Sequence, residues 1–412
     1  MKAAHRILLA GVLALGLASA SQAEVKLASP QSVGFGPQGL SALDAGLHGL
    51  VDEGKLAGVT TLVARHGKVV HIDAYGVQDL DSKVAVAPDT IWRIASMTKP
   101  VTGVAMMILW EEGRWKLDDP VSKYIPEFAD LKVKGPGGTL VAQVHPMTMR
   151  ELMSHTAGFD VSAGYDAVKL GETDLQGMVD KLAKLPLASQ PGTDWAYGPS
   201  VNIQGYIVEK LSGQSLDRFF QTRIFDPLKM VDTQFWVDPS KAARVSRIHT
   251  YAAGKLVGGP TGVVTAKPRF LAGSGGLYST TEDYWRFSQM LLNGGQLDGA
   301  RILKPATVVL MRKNVLNPGV LLDLYGPTQP GIGFGLDFAV LLDPAAAKSP
   351  QGLDSFYWGG AFGTWFWIDP TNDLVFVGMI QNLAGSVPGG GTPEVRAFSQ
   401  KLVYDALTDR KK

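Results

Sequence analysis

Leu40, Leu43, Leu47, Leu50 and Val51 recur three and four positions apart, and that spacing predicts an amphipathic helix over residues 39–53. The period then changes. In GVTTLVARHGKVVHIDAYG, β-branched runs flank His66-Gly67, which predicts a hairpin from Thr60 to Tyr75. From Ser96 to about residue 270 helical signals dominate, as in KPVTGVAMMILWEEGRW and NIQGYIVEKLSG, with Pro- and Gly-rich loops such as VKGPGGTL between them. SGGLYSTTEDYWRFSQMLLNGG predicts a helix from Thr281 to Leu292, with Ser279 and Thr280 as its expected caps. Strand signals return in SFYWGGAFGTWFWIDP and NDLVFVGMIQN, and Val395, Phe398, Leu402, Val403 and Ala406 mark one face of a last helix.

This order of helix, strands, helical block, strands and helix implies an α+β protein whose antiparallel sheet is assembled from both ends of the chain and covered by helices. At 412 residues the chain exceeds the ~250–300 at which one core stops growing, so two packed lobes are expected. Residues 24–95 and 275–412 form the discontinuous sheet lobe, residues 96–274 the mainly helical one, and the active site lies between them.

Charge and composition narrow the partners. With 39 basic and 38 acidic residues and no basic run, neither nucleic acid nor an anionic membrane surface is expected. The first residues read as an export signal over 1–23: Lys2 and Arg6, an apolar stretch from Ile7 to Leu17, then Ser21-Gln22-Ala23 as a small-x-small cleavage site. A membrane anchor is the alternative, but the apolar run falls short of the ~20 residues that span a bilayer. A periplasmic or secreted protein without a stable anchor follows. Cysteine is absent, which excludes disulfides, thiolate zinc sites and a cysteine nucleophile. The seven histidines include no pair three or four apart, so no metal and no cofactor are expected.

Candidate chemistry begins at RIASMTKP, where Ser96 and Lys99 stand three apart at the start of an apolar helical run. One turn of helix would place the two side chains on the same face. A helix N-terminus and burial would both depress the lysine pKa, and a neutral amine could accept the serine proton for acyl transfer. An ordinary helix cap is the plainer reading of the same residues. The tetrapeptide alone is weak, since chance supplies about one match in a chain of this length. It is the single Ser-x-x-Lys of the chain, and no Gly-x-Ser-x-Gly elbow offers a rival serine.

Four ordered segments, IWRIASMTKP, LDDPVSKYIPEF, MTMRELMSHTAGF and SGGLYSTTEDYWRFSQMLLNGG, resemble the serine β-lactamase and penicillin-binding-protein superfamily. The likeness is to its class C-like branch and to the family VIII esterases, and it covers nearly the whole chain after residue 23. It implies a β-lactamase/DD-peptidase-like fold with Ser96 as nucleophile and Lys99 beside it. Tyr197, in DWAYGPSVNIQGY, matches the second motif, although Pro199 stands where the β-lactamases have Asn. The resemblance suggests a phenolate-like Tyr197 with its pKa lowered by Lys99; a core tyrosine packed on Trp195 is the alternative. In YWGGAFGTWFWIDP, Trp358, Gly359 and Gly360 take the positions of Lys-Thr-Gly, and the amides of Ala361 and Ser96 would form the oxyanion hole. A Gly-rich strand bulge is the plainer reading of those glycines. His155 is expected to be structural, stabilising its helix.

A tryptophan cannot pair with a carboxylate as a lysine does, but it offers an apolar wall, which favours esters over anionic β-lactams. The expected activity is therefore hydrolysis of short- to medium-chain carboxylic esters through a serine acyl-enzyme, with a small-molecule ester as partner. The alternatives are a class C-like β-lactamase or D-alanyl-D-alanine carboxypeptidase/D-aminopeptidase, and a catalytically silent penicillin-binding sensor.

Overall fold

Both ends of the chain supply strands to one sheet in the computed structural model, which describes residues 25–36, 38–161, 173–323, 329–383 and 394–411. The export signal expected at 1–23 lies outside the described residues. Strands β1 (Gly58–Arg65) and β2 (Lys68–Gly76) form the first hairpin, slightly longer than the pattern predicts. His66 and Gly67 turn it at φ 53° and 69°, the left-handed pair that a two-residue type I′ turn needs. The C-terminal part adds β3 (Ile332–Phe334), β4 (Ala339–Leu341), β5 (Phe356–Gly359), β6 (Trp365–Asp369) and β7 (Leu374–Met379). The sheet runs β3-β4-β5-β6-β7-β1-β2, all antiparallel. The join between the two ends is β1 on β7, with Thr60 opposite Met379 and Arg65 opposite Leu374.

Seven helices matter for the site: α1 (Gly39–Asp52), α2 (Thr98–Glu111), α3 (Met149–Met153), α4 (Leu175–Leu182), α5 (Ser200–Ser212), α6 (Thr281–Leu292) and α7 (Val395–Asp405). Helix α2 is buried from Thr98 to Leu109 and carries no polar stripe, as a central helix must. It packs on α5. The Thr280 hydroxyl caps α6, accepting from the Asp283 amide at 3.2 Å. Ser279 does not share that role. It lies in a short strand paired with Trp92–Arg93, and its hydroxyl bonds Thr233 at 2.8 Å.

Helices cover both faces of the sheet, so its central strands are buried throughout and read as near-continuous apolar runs. On one face Val59, Val63, Trp365, Trp367 and Phe376 meet α1 through Leu40, Leu43 and Leu47 and α7 through Val403 and Tyr404. On the other, Leu62, Phe366, Val375 and Val377 join Tyr284 and Phe287 of α6 and the core of the helical block. The expected face of α7 is amended in one place. Phe398 remains 37% exposed at the rim against Gly46, and Tyr404 is buried instead, its hydroxyl donating to Asp369 at 2.5 Å. Among the described residues no helix is long and apolar enough to cross a membrane.

Candidate active site

Ser96 lies in a 3-10 turn, Ala95–Met97, immediately ahead of α2 rather than within it. Ala95 holds φ at 44°, a left-handed conformation that costs free energy in a residue with a Cβ and persists only where the surroundings fix it. They do so here. Ile94 N donates to Leu277 O at 3.1 Å, Leu277 N to the Thr98 hydroxyl at 3.2 Å, and the Tyr284 hydroxyl to Met97 O at 2.8 Å. The end of β5 closes on the same turn at Gly360, where a Cβ would stand 2.4 Å from Ile94 O and 2.3 Å from the Thr364 hydroxyl. Gly360→Ala is therefore expected to destabilise the protein by about 1–3 kcal/mol, read as a lower melting temperature. Ala361 follows, exposed at the start of the β5–β6 turn, and its amide has no partner among the described residues.

Lys99 reaches back from the first turn of α2. Its Nζ lies 3.1 Å from Ser96 Oγ, donates to Ser274 O at 2.7 Å, and sits 4.4 Å from the centre of the Tyr197 ring. The residue is 3% exposed, and burial drives its pKa down to about 7, against an opposing pull from Asp337. A neutral amine has two N–H groups and one lone pair; with an N–H committed to Ser274 O, the lone pair is free to face Ser96. Asn202, on α5, holds this anchor, its Oδ1 accepting from Ser274 N at 2.9 Å. The sequence offered a faint signal for it, a polar residue three positions past Pro199 in a buried helix.

Tyr197 arrives from the loop before α5, and its hydroxyl accepts from Trp358 Nε1 at 3.1 Å and bonds the Ser96 hydroxyl. Burial pushes the phenol well above its usual pKa; the bonds from Ser96 and Trp358 and the charge of Arg396 offset only part of this. The expected phenolate-like tyrosine is thus corrected: the resting group is a neutral phenol, and Lys99 does not lower it. Trp358 differs from expectation too. At 6% exposed it is less an open wall than a brace behind Tyr197, packed edge-on against Trp195 and Phe334.

His155 does not serve its helix as expected. It follows α3 at φ 60°, its carbonyl accepts from Ala196 N at 2.9 Å, and its ring packs 5.0 Å from that of Tyr197, so it fastens the tyrosine loop. Burial first, then the charge of Lys99, push its pKa down to about 3, which keeps the imidazole neutral. Asp337 escaped sequence reasoning altogether. It is fully buried at φ 72°; Oδ1 accepts from Gln204 Nε2 at 3.0 Å, while Oδ2 has no partner among the described residues and lies against Gly103, one turn beyond Lys99 on α2. Burial holds its carboxyl well above the usual range. Among the described residues no set of three metal-ligating side chains is gathered.

A serine, a buried amine of lowered pKa, a neutral phenol and a free amide on one small surface can support acyl transfer. The comparisons agree. A family model described as Beta-lactamase matches residues 43–398. Protein Rv1367c of Mycobacterium tuberculosis (strain ATCC 25618 / H37Rv) is 34% identical over 364 residues, covering 83% of this chain and 90% of that protein. Esterase EstB of Burkholderia gladioli is 30% identical over 354 residues, covering 79% and 86%. Among solved structures, "EstCE1, a hydrolase with promiscuous acyltransferase activity" superposes with a TM-score of 0.77 at 25% identity, covering 89% of this chain and 99% of that one. The α+β architecture is that of the β-lactamase/penicillin-binding-protein fold. The chain belongs to the β-lactamase family and is a serine hydrolase of that superfamily.

Proposed function

We propose that this hydrolase cleaves carboxylic esters of short to medium acyl length through a covalent intermediate on Ser96. The observation that supports it most is the buried amine of Lys99, 3.1 Å from the Ser96 hydroxyl and anchored by a carbonyl rather than by a carboxylate. Lys99 takes the hydroxyl proton as Ser96 Oγ bonds to the ester carbonyl carbon, and the amides of Ser96 and Ala361 hold the oxyanion. Tyr197 gives its proton to the departing alkoxide as the ester C–O bond breaks, and recovers one from Lys99. Water then attacks the acyl-enzyme, its proton passing back along the same groups to Ser96. The name of the relative EstB and a tryptophan at position 358, which cannot pair with a carboxylate as a lysine does, both favour esters over anionic β-lactams.

The pH dependence has a definite sign. Only the neutral amine can accept a proton, so kcat/KM rises with pH up to about 7 and levels above it. Tyr197, its pKa raised, stays protonated well into the alkaline range and adds no falling limb near neutrality. Asp337→Asn removes a carboxyl whose ionised form favours the ammonium, so the rise is expected at lower pH.

The test is a panel of p-nitrophenyl esters of varied acyl length run beside nitrocefin on one preparation. Ester turnover with no more than a trace of nitrocefin cleavage supports the reading; nitrocefin kcat/KM of ~10⁴ M⁻¹s⁻¹ or more with slow esters overturns it. Residues 1–23 are proposed to act as an export leader, and the expected result is that protein recovered from the periplasm or medium has the intact mass of the chain without them.

A further inference from the structure

A cleft of about 310 Å³ opens beside the short strand that leads to Ser96, and none of the residues assigned to the chemistry lines it. Its walls come from the loop after β2, from 242–248, from 260–263 and from Arg93. Val84, Val245, Ile248 and Val263 make much of the lining apolar. Val245 and Val263 rest on a small core of Ile91, Val237 and Tyr278, whereas Val84 is 48% exposed. An apolar hollow with a few fixed polar groups is the usual make-up of a small-molecule site, and this one falls at the small end of the ~300–1,000 Å³ range.

Two guanidiniums line the cleft, and their partners differ. Arg247 is neutralised: Nη1 donates to Asp79 at 3.0 Å and to Asp81, and Nε to Gly259 O at 2.8 Å. Arg93 has no carboxylate partner among the described residues; its Nη2 donates to Gly262 O, and its Cζ lies 5.3 Å from the centre of the Tyr278 ring. One acceptor leaves most of its five N–H donors unused. The half-buried side chain cannot leave by a backbone shift, because Gln381 clasps the Arg93 main chain, Oε1 accepting from N at 2.8 Å and Nε2 donating to O at 3.2 Å. The adjoining loop adds donors: the amides of Thr261, Gly262 and Val263 have no partner among the described residues.

One unpaired positive charge in an apolar hollow suits one class of ligand. A dianion would need a second cation, but Arg247 is already held by two aspartates, of which Asp79 itself lines the cleft. A wholly apolar molecule would leave a partly desolvated guanidinium without an anion. We propose that this cleft binds a small amphipathic monocarboxylate, with the carboxylate on Arg93 and the alkyl chain against the valines and Ile248. Acids of this class are what the proposed hydrolysis releases, and the site stands with or without that activity.

The experiment is a calorimetric titration of the unmodified protein and two variants with hexanoate. The unmodified protein is expected to bind it with a Kd of about 1 mM or tighter, and to bind hexanamide, the same chain without the charge, about tenfold or more weakly. Arg93→Met is expected to lower hexanoate affinity by about tenfold or more. Ala243 is exposed on the 3-10 turn Pro239–Arg244 and lines the cleft, so Ala243→Trp fills the space and is expected to abolish binding. Should Arg93→Met fail to fold, hexanamide and Ala243→Trp decide the outcome. No heat at about 10 mM hexanoate, equal affinity for hexanamide, or affinity indifferent to Ala243→Trp in a protein that melts normally would each overturn the proposal. Inorganic phosphate binding more tightly than hexanoate would overturn it too.

Discussion

Ser96→Ala is expected to lower kcat on p-nitrophenyl butyrate by at least about three orders of magnitude, with the melting temperature nearly unchanged. The hydroxyl is the one atom lost, and its partners are the two groups proposed to move its proton, Lys99 and Tyr197. Nothing in the core depends on it: Ser96 is half-buried in a turn fixed by the bonds of Ile94, Met97 and Thr98. What activity persists would come from the amides that hold the oxyanion and from substrate binding. A turnover rate within tenfold of the unmodified protein would mean that another group attacks the ester.

Lys99→Met is expected to abolish turnover to a similar degree and, unlike most core substitutions, to raise the melting temperature. Folding takes this amine from a pKa of 10.5 to about 7, so at neutral pH the native state bears a cost of about 4–5 kcal/mol for stripping its charge. Methionine fills similar volume without that cost. It forgoes the bond to Ser274 O, which subtracts about 1–3 kcal/mol and leaves a net gain of a few. The sign with pH is also fixed. Between about 7 and 10.5 the unfolded chain binds the extra proton, so the unmodified protein gains stability as pH rises through that window, whereas the methionine variant does not. Melting both proteins at pH 7 and pH 9 checks this: the advantage of the variant should be larger at pH 7. A variant less stable at both values would place the lysine amine in water.

Much of this was legible in the sequence because it is local. The 281–292 helix announces its period and its Thr280 cap, the first hairpin its His66-Gly67 turn, and Ser96 and Lys99 meet through a single turn of backbone. The order of elements was enough to imply a sheet assembled from both ends, which β1 on β7 realises. The remainder depends on pairs distant in the chain. Asp337 comes under α2 only when the turn after β3 folds back, Arg396 needs α7 to lie along β5, and Asn202 acts through Ser274. The Tyr197 phenol was misjudged because a neighbouring lysine is visible in a motif, while the depth of burial that outweighs it is not. Ser279 looked like a cap because its neighbour is one; pairing with Thr233 decided otherwise.

The most direct test of the central claim is the rate at which a fluorophosphonate labels the intact protein between pH 5 and 9, with the adduct located by peptide mass. One adduct on Ser96, forming about tenfold faster per pH unit until its rate levels near pH 7, is the result expected of an amine held neutral against that hydroxyl. A rate still climbing at pH 9, as for a lysine of ordinary pKa, or an adduct on another residue, would contradict it.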